Sequence, residues 1–334
     1  MHNDIKYYNI HNILKIKTNI STFIPDYFRV DHIDNPDLEF MVTKLPEFRL
    51  PMKQTGVFWH GTNEDDKSLY IRYKLPYGNA RLVFTDLERQ TKVHFTKGYY
   101  KYGKLNDLFE RIFFIKLLQR GYALIHSASI ARDDKAYLIT ALRDTGKTST
   151  VLSLLEHGFK FMSDDLTIVS PDGYAYCFPE PVSLSSFTIP GIINKKPSPT
   201  DKIKHHISKS RFEIVFGDIL KLDMTKKVSL PSQLITNRAF IDKIFLLSTG
   251  KDGIYETHRH DLVLSKIVSP TLELFSPYSN YLIIFYCNLL NYNLIRLMDK
   301  YISILHDAIK SSICYEVKSY DVTYADKIRR VLHC

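Results

Sequence analysis

Apolar and polar positions along this chain fall into two regimes. From Gly56 they alternate in short runs, Gly56-Val-Phe-Trp-His60, Leu69-Tyr-Ile-Arg-Tyr73, Arg81-Leu-Val-Phe84 and Val93-His-Phe95, with Gly, Asn, Asp and Pro between them. A period of two broken by turn residues predicts strands in hairpins, so this stretch reads as a small antiparallel β domain. Upstream, Ile13-Leu-Lys-Ile-Lys17 and Phe40-Met-Val-Thr43 are strand-like runs interrupted by prolines and charges. The period then changes. Asn106 or Asp107 can cap a helix through Gln119, in which Leu108, Ile112 and Ile115 together with Phe109, Phe113 and Leu117 form a wide apolar face before Gly121. Such a helix suits a bridge between a β-rich N-terminal domain, 1–105, and a second domain, 106–334.

In the second part, Tyr122 to Ala131 reads as one strand, Arg132-Asp-Asp-Lys135 as a turn and Ala136-Tyr-Leu-Ile-Thr140 as another strand. Thr148 to His157 is helical in pattern, offering Val151, Leu152, Leu154 and Leu155 to a core and stopping at Gly158. Phe159 to Asp165 is an apolar strand, and Leu166 to Ser170 pairs naturally with Tyr174 to Phe178 around Pro171-Asp-Gly173. Ile241 to Leu247 is a further strand. From Pro277 follow two apolar helical stretches, a strand at Cys314-Tyr-Glu-Val317 and a last helix, capped by Asp321 and running through Leu332. Strands interleaved with helices, plus a hairpin, predict an α/β domain on a mixed sheet.

Composition bounds this reading without changing it. The 334 residues suffice for two cores, and 45% hydrophobic with 24% charged residues is globular rather than disordered. Cys177, Cys287, Cys314 and Cys334 are far apart with no C-x-x-C pair, which points to buried thiols rather than zinc or a disulfide framework. No apolar run reaches membrane-span length and Met1 to Ile10 lacks a signal-peptide pattern, so the expectation is a cytoplasmic protein with no membrane partner. The net charge of +9 is spread along the chain, apart from one basic cluster of Lys195, Lys196, Lys202, Lys204, Lys209 and Arg211 opposed by Asp201. That cluster fits either a loop receiving an acceptor or a solvated loop.

The chemistry enters at Ala141-Leu-Arg-Asp-Thr-Gly-Lys-Thr148, which fits the phosphate-loop pattern except at its first position, where Ala141 replaces glycine. Strand, loop and helix follow in the required order. Ala141, Leu142, Arg143, Asp144, Thr145, Gly146, Lys147, Thr148 and Ser149 are therefore the candidate nucleotide-binding residues. Amides at a helix start and the positive end of its dipole favour phosphate. Lys147 would reach the β and γ phosphates of ATP, and Thr148 would offer its hydroxyl to Mg²⁺. If the first loop position needs positive φ, the Ala141 methyl costs about 1 kcal/mol, and Asp144 must face away from the phosphates or pair, for instance with Arg143. Seventeen residues after Lys147 stands Asp164, followed by Asp165. Adjacent side chains at a strand end point to opposite faces, so one carboxylate can serve a metal and the other an acceptor.

On these residues the segment resembles the bacterial HPr kinase/phosphorylase family and, more loosely, the phosphoenolpyruvate carboxykinase superfamily. His126 lies 21 residues before Lys147, the spacing expected there for the histidine, loop lysine and catalytic aspartate. The resemblance covers roughly residues 120–180. It implies a P-loop kinase domain in which Asp164 is the general base, His126 orients or tunes it, and Asp165 assists Thr148 with the metal; it also implies a homo-oligomer. The family's later metal-binding glutamate has no counterpart, since Pro190-Gly-Ile-Ile-Asn194 carries no carboxylate.

The expectation is an ATP- and Mg²⁺-dependent kinase acting on a hydroxyl, a protein serine by the resemblance, with catalytic residues Asp164, His126 and Lys147. An RNA or small-molecule hydroxyl is the alternative acceptor. A nucleotide-binding switch without transfer is the alternative class, motivated by Ala141, Asp144 and the missing glutamate, and carboxykinase chemistry is weaker for want of substrate-binding arginines. Arg211 and Arg238 are candidates for charge stabilisation. Trp59 and Tyr70, Tyr73, Tyr77, Tyr99 and Tyr100 suit cross-strand packing more than a stacking platform. His258-Arg-His260 lacks a third ligand and reads as an exposed strand end.

Overall fold

The computed structural model describes residues 4–75, 78–102, 105–142, 145–184, 226–275, 280–321 and 323–333. Arg143, Asp144, Tyr77, the basic cluster at 194–211, Pro190 to Asn194 and Cys334 lie outside them. The described chain is mixed α/β, built on two large sheets, and divides into two compact units.

The first unit comprises Met1–Leu124, Val169–Asp172 and Thr271–Asp307. Its nine-stranded sheet contains β1 (Lys6–Ile10), β2 (Leu14–Thr18), β3 (Arg29–Val30), β4 (Leu38–Val42), β5 (Lys53–Thr55), β6 (Phe58–Asn63), β7 (Ser68–Leu75), β8 (Gly78–Thr85) and β9 (Thr91–Phe95). Their order is β3-β1-β2-β4-β9-β8-β7-β6-β5. The runs read as antiparallel hairpins occupy β6 to β9 and pair that way. The sheet is larger than expected, however, and mixed, because β4 enters parallel to both β2 and β9. After α1 (Lys97–Tyr102), helix α2 (Leu105–Gln119) is buried on almost every side. Phe109 meets Phe40 at 5.0 Å and Phe113 meets Phe23 at 5.2 Å, so α2 belongs to this core. A later segment joins it: Asn280 donates to Asp107 at 2.6 Å, and the Tyr286 hydroxyl donates to Lys67 O and accepts from Leu87 N.

The second unit comprises Ile125–Ile168, Gly173–Pro270 and Ala308–Cys334. The second sheet is built from β10 (Ala123–His126), β11 (Ala128–Arg132), β12 (Lys135–Thr140), β13 (Lys160–Ser163), β14 (Leu166–Val169), β15 (Tyr174–Tyr176), β18 (Arg238–Ser248), β19 (Gly253–Thr257) and β20 (Ile313–Lys318), with β16 (Val182–Leu184) and β17 (Lys226–Val228) forming a separate pair. The main path runs β10-β14-β15-β18-β12-β11-β13. The long strand β18 lies parallel to both β12 and β20, and its Ile244 to Leu247 stretch is buried on both faces, as parallel strands in a sheet interior are. Helix α3 (Lys147–Leu155) covers this sheet through Val151, Leu152 and Leu154, in one cluster with Ile130, Ile139, Phe161 and Phe245.

Two departures from the sequence reading matter. Tyr122 to Ala131 is two strands, broken at Ser127, whose N–H turns to Ile125 O and Asp165 O. The residues after His258 form α4 (His260–Phe275) despite Pro270 within it. Helices α5 (Tyr281–Leu289) and α6 (Leu294–Ile309) follow, then α7 (Tyr324–Val331), where the capping position falls to Thr323 rather than Asp321. Cys177, Cys287 and Cys314 are buried free thiols. Among the described residues no helix is long and apolar enough to cross a membrane.

Candidate functional site

The loop is delivered by β12, whose last residue, Thr140, is buried and donates to His126 O at 3.2 Å. Ala141 is buried and Leu142 exposed. The loop closes on Gly146, which caps α3 with φ 99°. That left-handed conformation suits glycine, and a Cβ there would be strained. Gly146 O then receives Thr150 N at 3.1 Å, the Thr150 hydroxyl at 2.8 Å and the Ser149 hydroxyl at 2.9 Å, fixing the first turn of the helix. Thr145 donates to Leu142 O at 2.9 Å across the loop.

Lys147 is buried at the start of α3 and its ammonium folds back over the loop, donating to Ala141 O at 3.0 Å and Leu142 O at 3.3 Å. It also lies 3.0 Å from His126 Nε2. An ammonium has donors only, so Nε2 accepts and the imidazole proton sits on Nδ1. Nδ1 lies 3.6 Å from Asp165 Oδ1, beyond direct hydrogen-bond range. Lysine, histidine and aspartate thus form a line from the loop to the strand end.

The two carboxylates occupy different surroundings. Asp164 is 9% exposed, and its Oδ2 accepts from the Thr148 hydroxyl at 3.1 Å. Its Oδ1 is buried with no hydrogen-bond partner among the described residues. Burial pushes its carboxyl up to about 6, with the Thr148 hydrogen bond opposing, Asp165 adding and the Lys147 charge opposing. The Asp165 side chain is 63% exposed beside His126. The strand end does split the pair, but the partners are exchanged relative to the resemblance: Thr148 sits with Asp164, and His126 with Asp165.

His126, Lys147, Thr148, Asp164 and Asp165 are therefore together, with Ala141, Leu142, Thr145, Gly146 and Ser149 forming the described part of the loop. Arg238 is turned elsewhere, its guanidinium 5.2 Å from the Tyr174 ring centre. His258 is exposed beside Glu256, and Tyr73 and Tyr99 pack on each other in the first unit at 5.7 Å. Among the described residues no group of three or more His, Cys, Asp or Glu is arranged to hold a metal. Sequence reasoning missed a set of hydroxyls behind the aspartates, Ser127, Ser129, Ser163 and Thr167, all fully buried. Their only trace in the sequence is hydroxyls interrupting apolar runs, as in Leu124-Ile-His-Ser-Ala-Ser-Ile130.

No protein-family model matches the sequence. No curated protein matches it either. Among solved structures, the HPr(Ser) kinase/phosphatase from Coxiella burnetii is similar at 10% identity and a TM-score of 0.26, over 63% of this chain and 99% of that one. Likeness at that level adds nothing to what the side chains themselves say.

Proposed function

We propose that this chain is an ATP-dependent kinase that transfers the γ-phosphoryl group to a hydroxyl, and that the acceptor is a protein serine. The observation that carries the reading is the Thr148 to Asp164 hydrogen bond, 3.1 Å, at the first turn of the helix that follows the loop. It joins the loop hydroxyl suited to Mg²⁺ to a buried carboxylate, the pairing that P-loop phosphotransferases use to hold the metal. The unpartnered Asp164 Oδ1 fits the same role, because a buried carboxylate oxygen calls for a cation or a donor. Bound Mg²⁺ neutralises charge on the phosphates, and Thr148 and Asp164 would hold it.

Lys147 exchanges the carbonyls of Ala141 and Leu142 for phosphate oxygens when nucleotide enters. His126, its Nε2 committed to Lys147, turns Nδ1 toward Asp165 Oδ1 at 3.6 Å and would orient that carboxylate. Asp165 takes the acceptor's proton as the hydroxyl oxygen bonds to the γ-phosphorus and the bond to the leaving ADP oxygen breaks. Its exposure supports a macromolecular acceptor: a serine carried on a protein can approach Asp165, whereas Asp164 is enclosed. The proposed base is accordingly Asp165, with Asp164 on the metal.

Labelled ATP separates the roles. Asp165→Asn should bind Mg-nucleotide within about threefold of wild type yet lose transfer by roughly 10²- to 10⁴-fold, while Asp164→Asn should weaken the Mg²⁺-dependent part of binding. Nucleotide binding with no aspartate-dependent transfer or hydrolysis would leave a nucleotide-binding switch in place of a kinase.

A further inference from the structure

Behind the two aspartates lies a closed ring of hydroxyls. Ser129 and Ser163 Oγ are 2.6 Å apart, Ser163 Oγ and Thr167 Oγ1 2.6 Å, and Thr167 Oγ1 and Ser129 Oγ 2.9 Å. Ser127 O lies 2.9 Å from Thr167 Oγ1 and 3.3 Å from Ser163 Oγ, so the single Thr167 proton goes either to it or to Ser129 Oγ. Ser127 N returns a bond to Asp165 O at 3.1 Å. All four residues are fully buried. Apolar side chains of similar shape would fill the same space without desolvating hydroxyls, and such replacement is often neutral for stability. Fold stability asks for one donor to Ser127 O but gives no reason for a ring of three hydroxyls.

Its placement does. Ser163 immediately precedes Asp164-Asp165 and Thr167 follows two residues after them, so the ring grips the turn on both sides. Ser127 directly follows His126, which ties the histidine to the same anchor. The ring also coincides with an irregularity in the ladder: β11 and β13 pair Ser129 with Ser163 but Ile130 with Phe161, leaving Met162 as an extra residue on β13. A bulge of this kind bends a strand end and re-aims its side chains, and it weakens the backbone ladder where aim matters. Hydroxyl bonds replace the missing rung.

We propose that Ser127, through its main chain, and Ser129, Ser163 and Thr167, through their hydroxyls, are positioning residues that hold Asp164 against Thr148 and Asp165 against His126. The inference rests on the kinase reading for its catalytic consequence, though not for its structural one. Thr167→Val keeps side-chain volume and removes the hydroxyl; Thr167→Ser keeps the hydroxyl. The expected result for Thr167→Val is a 10- to 100-fold fall in kcat, a higher Mg²⁺ requirement, and a Thr148 to Asp164 separation opened beyond hydrogen-bond range in its crystal structure. Thr167→Ser should restore kcat to within about threefold of wild type and keep that separation closed. A Thr167→Val protein with wild-type kcat and an unchanged separation, whatever its melting temperature, overturns the proposal. If wild type proves to have no transfer or hydrolysis, the kinase reading fails alone and the crystal structures decide: an opened separation supports the clamp and an unchanged one refutes it. Should Thr167→Val not fold, Ser129→Ala gives the same readouts.

Discussion

Replacing Asp164 by Asn should make the nucleotide-free protein more stable while disabling the proposed metal site. Burial raises the folded-state pKa from 3.8 to about 6. At about 1.36 kcal/mol per unit, keeping this carboxylate ionised near neutral pH costs the folded state at most about 3 kcal/mol. The raised value means that the folded protein binds the proton more readily than the unfolded chain. Stability from this group therefore rises as pH falls from about 6 towards 3.8, and the cost is fully present above 6. Asparagine is neutral throughout, nearly the same shape, and can still accept from Thr148. Urea denaturation at 25 °C without divalent cation should show Asp164→Asn more stable than wild type by roughly 1–3 kcal/mol at pH 7.5, with the difference shrinking to near zero at pH 4. Adding Mg-nucleotide should reverse the ranking, because a ligand stabilises only the form that binds it. An Asp164→Asn protein no more stable than wild type at pH 7.5, or one whose advantage persists at pH 4, refutes the reasoning.

Three further outcomes test other parts of the account. Gly146→Ala forces a side chain into φ 99° and should lower stability by about 1–2 kcal/mol while weakening nucleotide binding, measured by denaturation and calorimetry. Lys116, buried in the first unit and donating to Leu87 O and Arg89 O, has its pKa lowered from 10.5 to about 8 by burial. The folded state favours the neutral amine, so wild type should gain up to roughly 3 kcal/mol over Lys116→Met between pH 8 and 10.5, a trend that paired urea titrations across this range would reveal. Gly61→Ala places a Cβ 2.7 Å from Pro51 O and 2.8 Å from the Leu50 side chain, and should destabilise by about 1–3 kcal/mol without changing nucleotide affinity.

What the sequence disclosed and what it withheld have separate physical causes. The loop, the helix after it and the Asp164-Asp165 strand end were legible because each is a contiguous pattern, and strand, loop and helix succeed one another in the chain. The hairpins β6 to β9 were legible for the same reason. The parallel entry of β4 between β2 and β9 was not, since it pairs residues far apart through backbone groups every sequence has. Nor could local pattern show that residues 271–307 close the first core, a fact that rests on side chains such as Tyr286 reaching Lys67 and Leu87. Pro270 hid α4, because a proline reads as a helix breaker while a tertiary setting accommodates it. The break at Ser127 and the hydroxyl ring behind it follow from a bulge, which a period-two pattern cannot announce. The same local limit explains the exchanged aspartates: spacing brought both to the site, and only packing decided that Asp164 meets Thr148.

The central claim is tested most directly by incubating wild type, Asp164→Asn and Asp165→Asn with γ-labelled ATP, Mg²⁺ and separate protein, RNA and metabolite fractions. The account predicts label on protein serine with wild type, loss of that label in both variants, and nucleotide binding retained by Asp165→Asn. Label that appears equally with Asp165→Asn, or no transfer and no hydrolysis by wild type under any of these conditions, would contradict it.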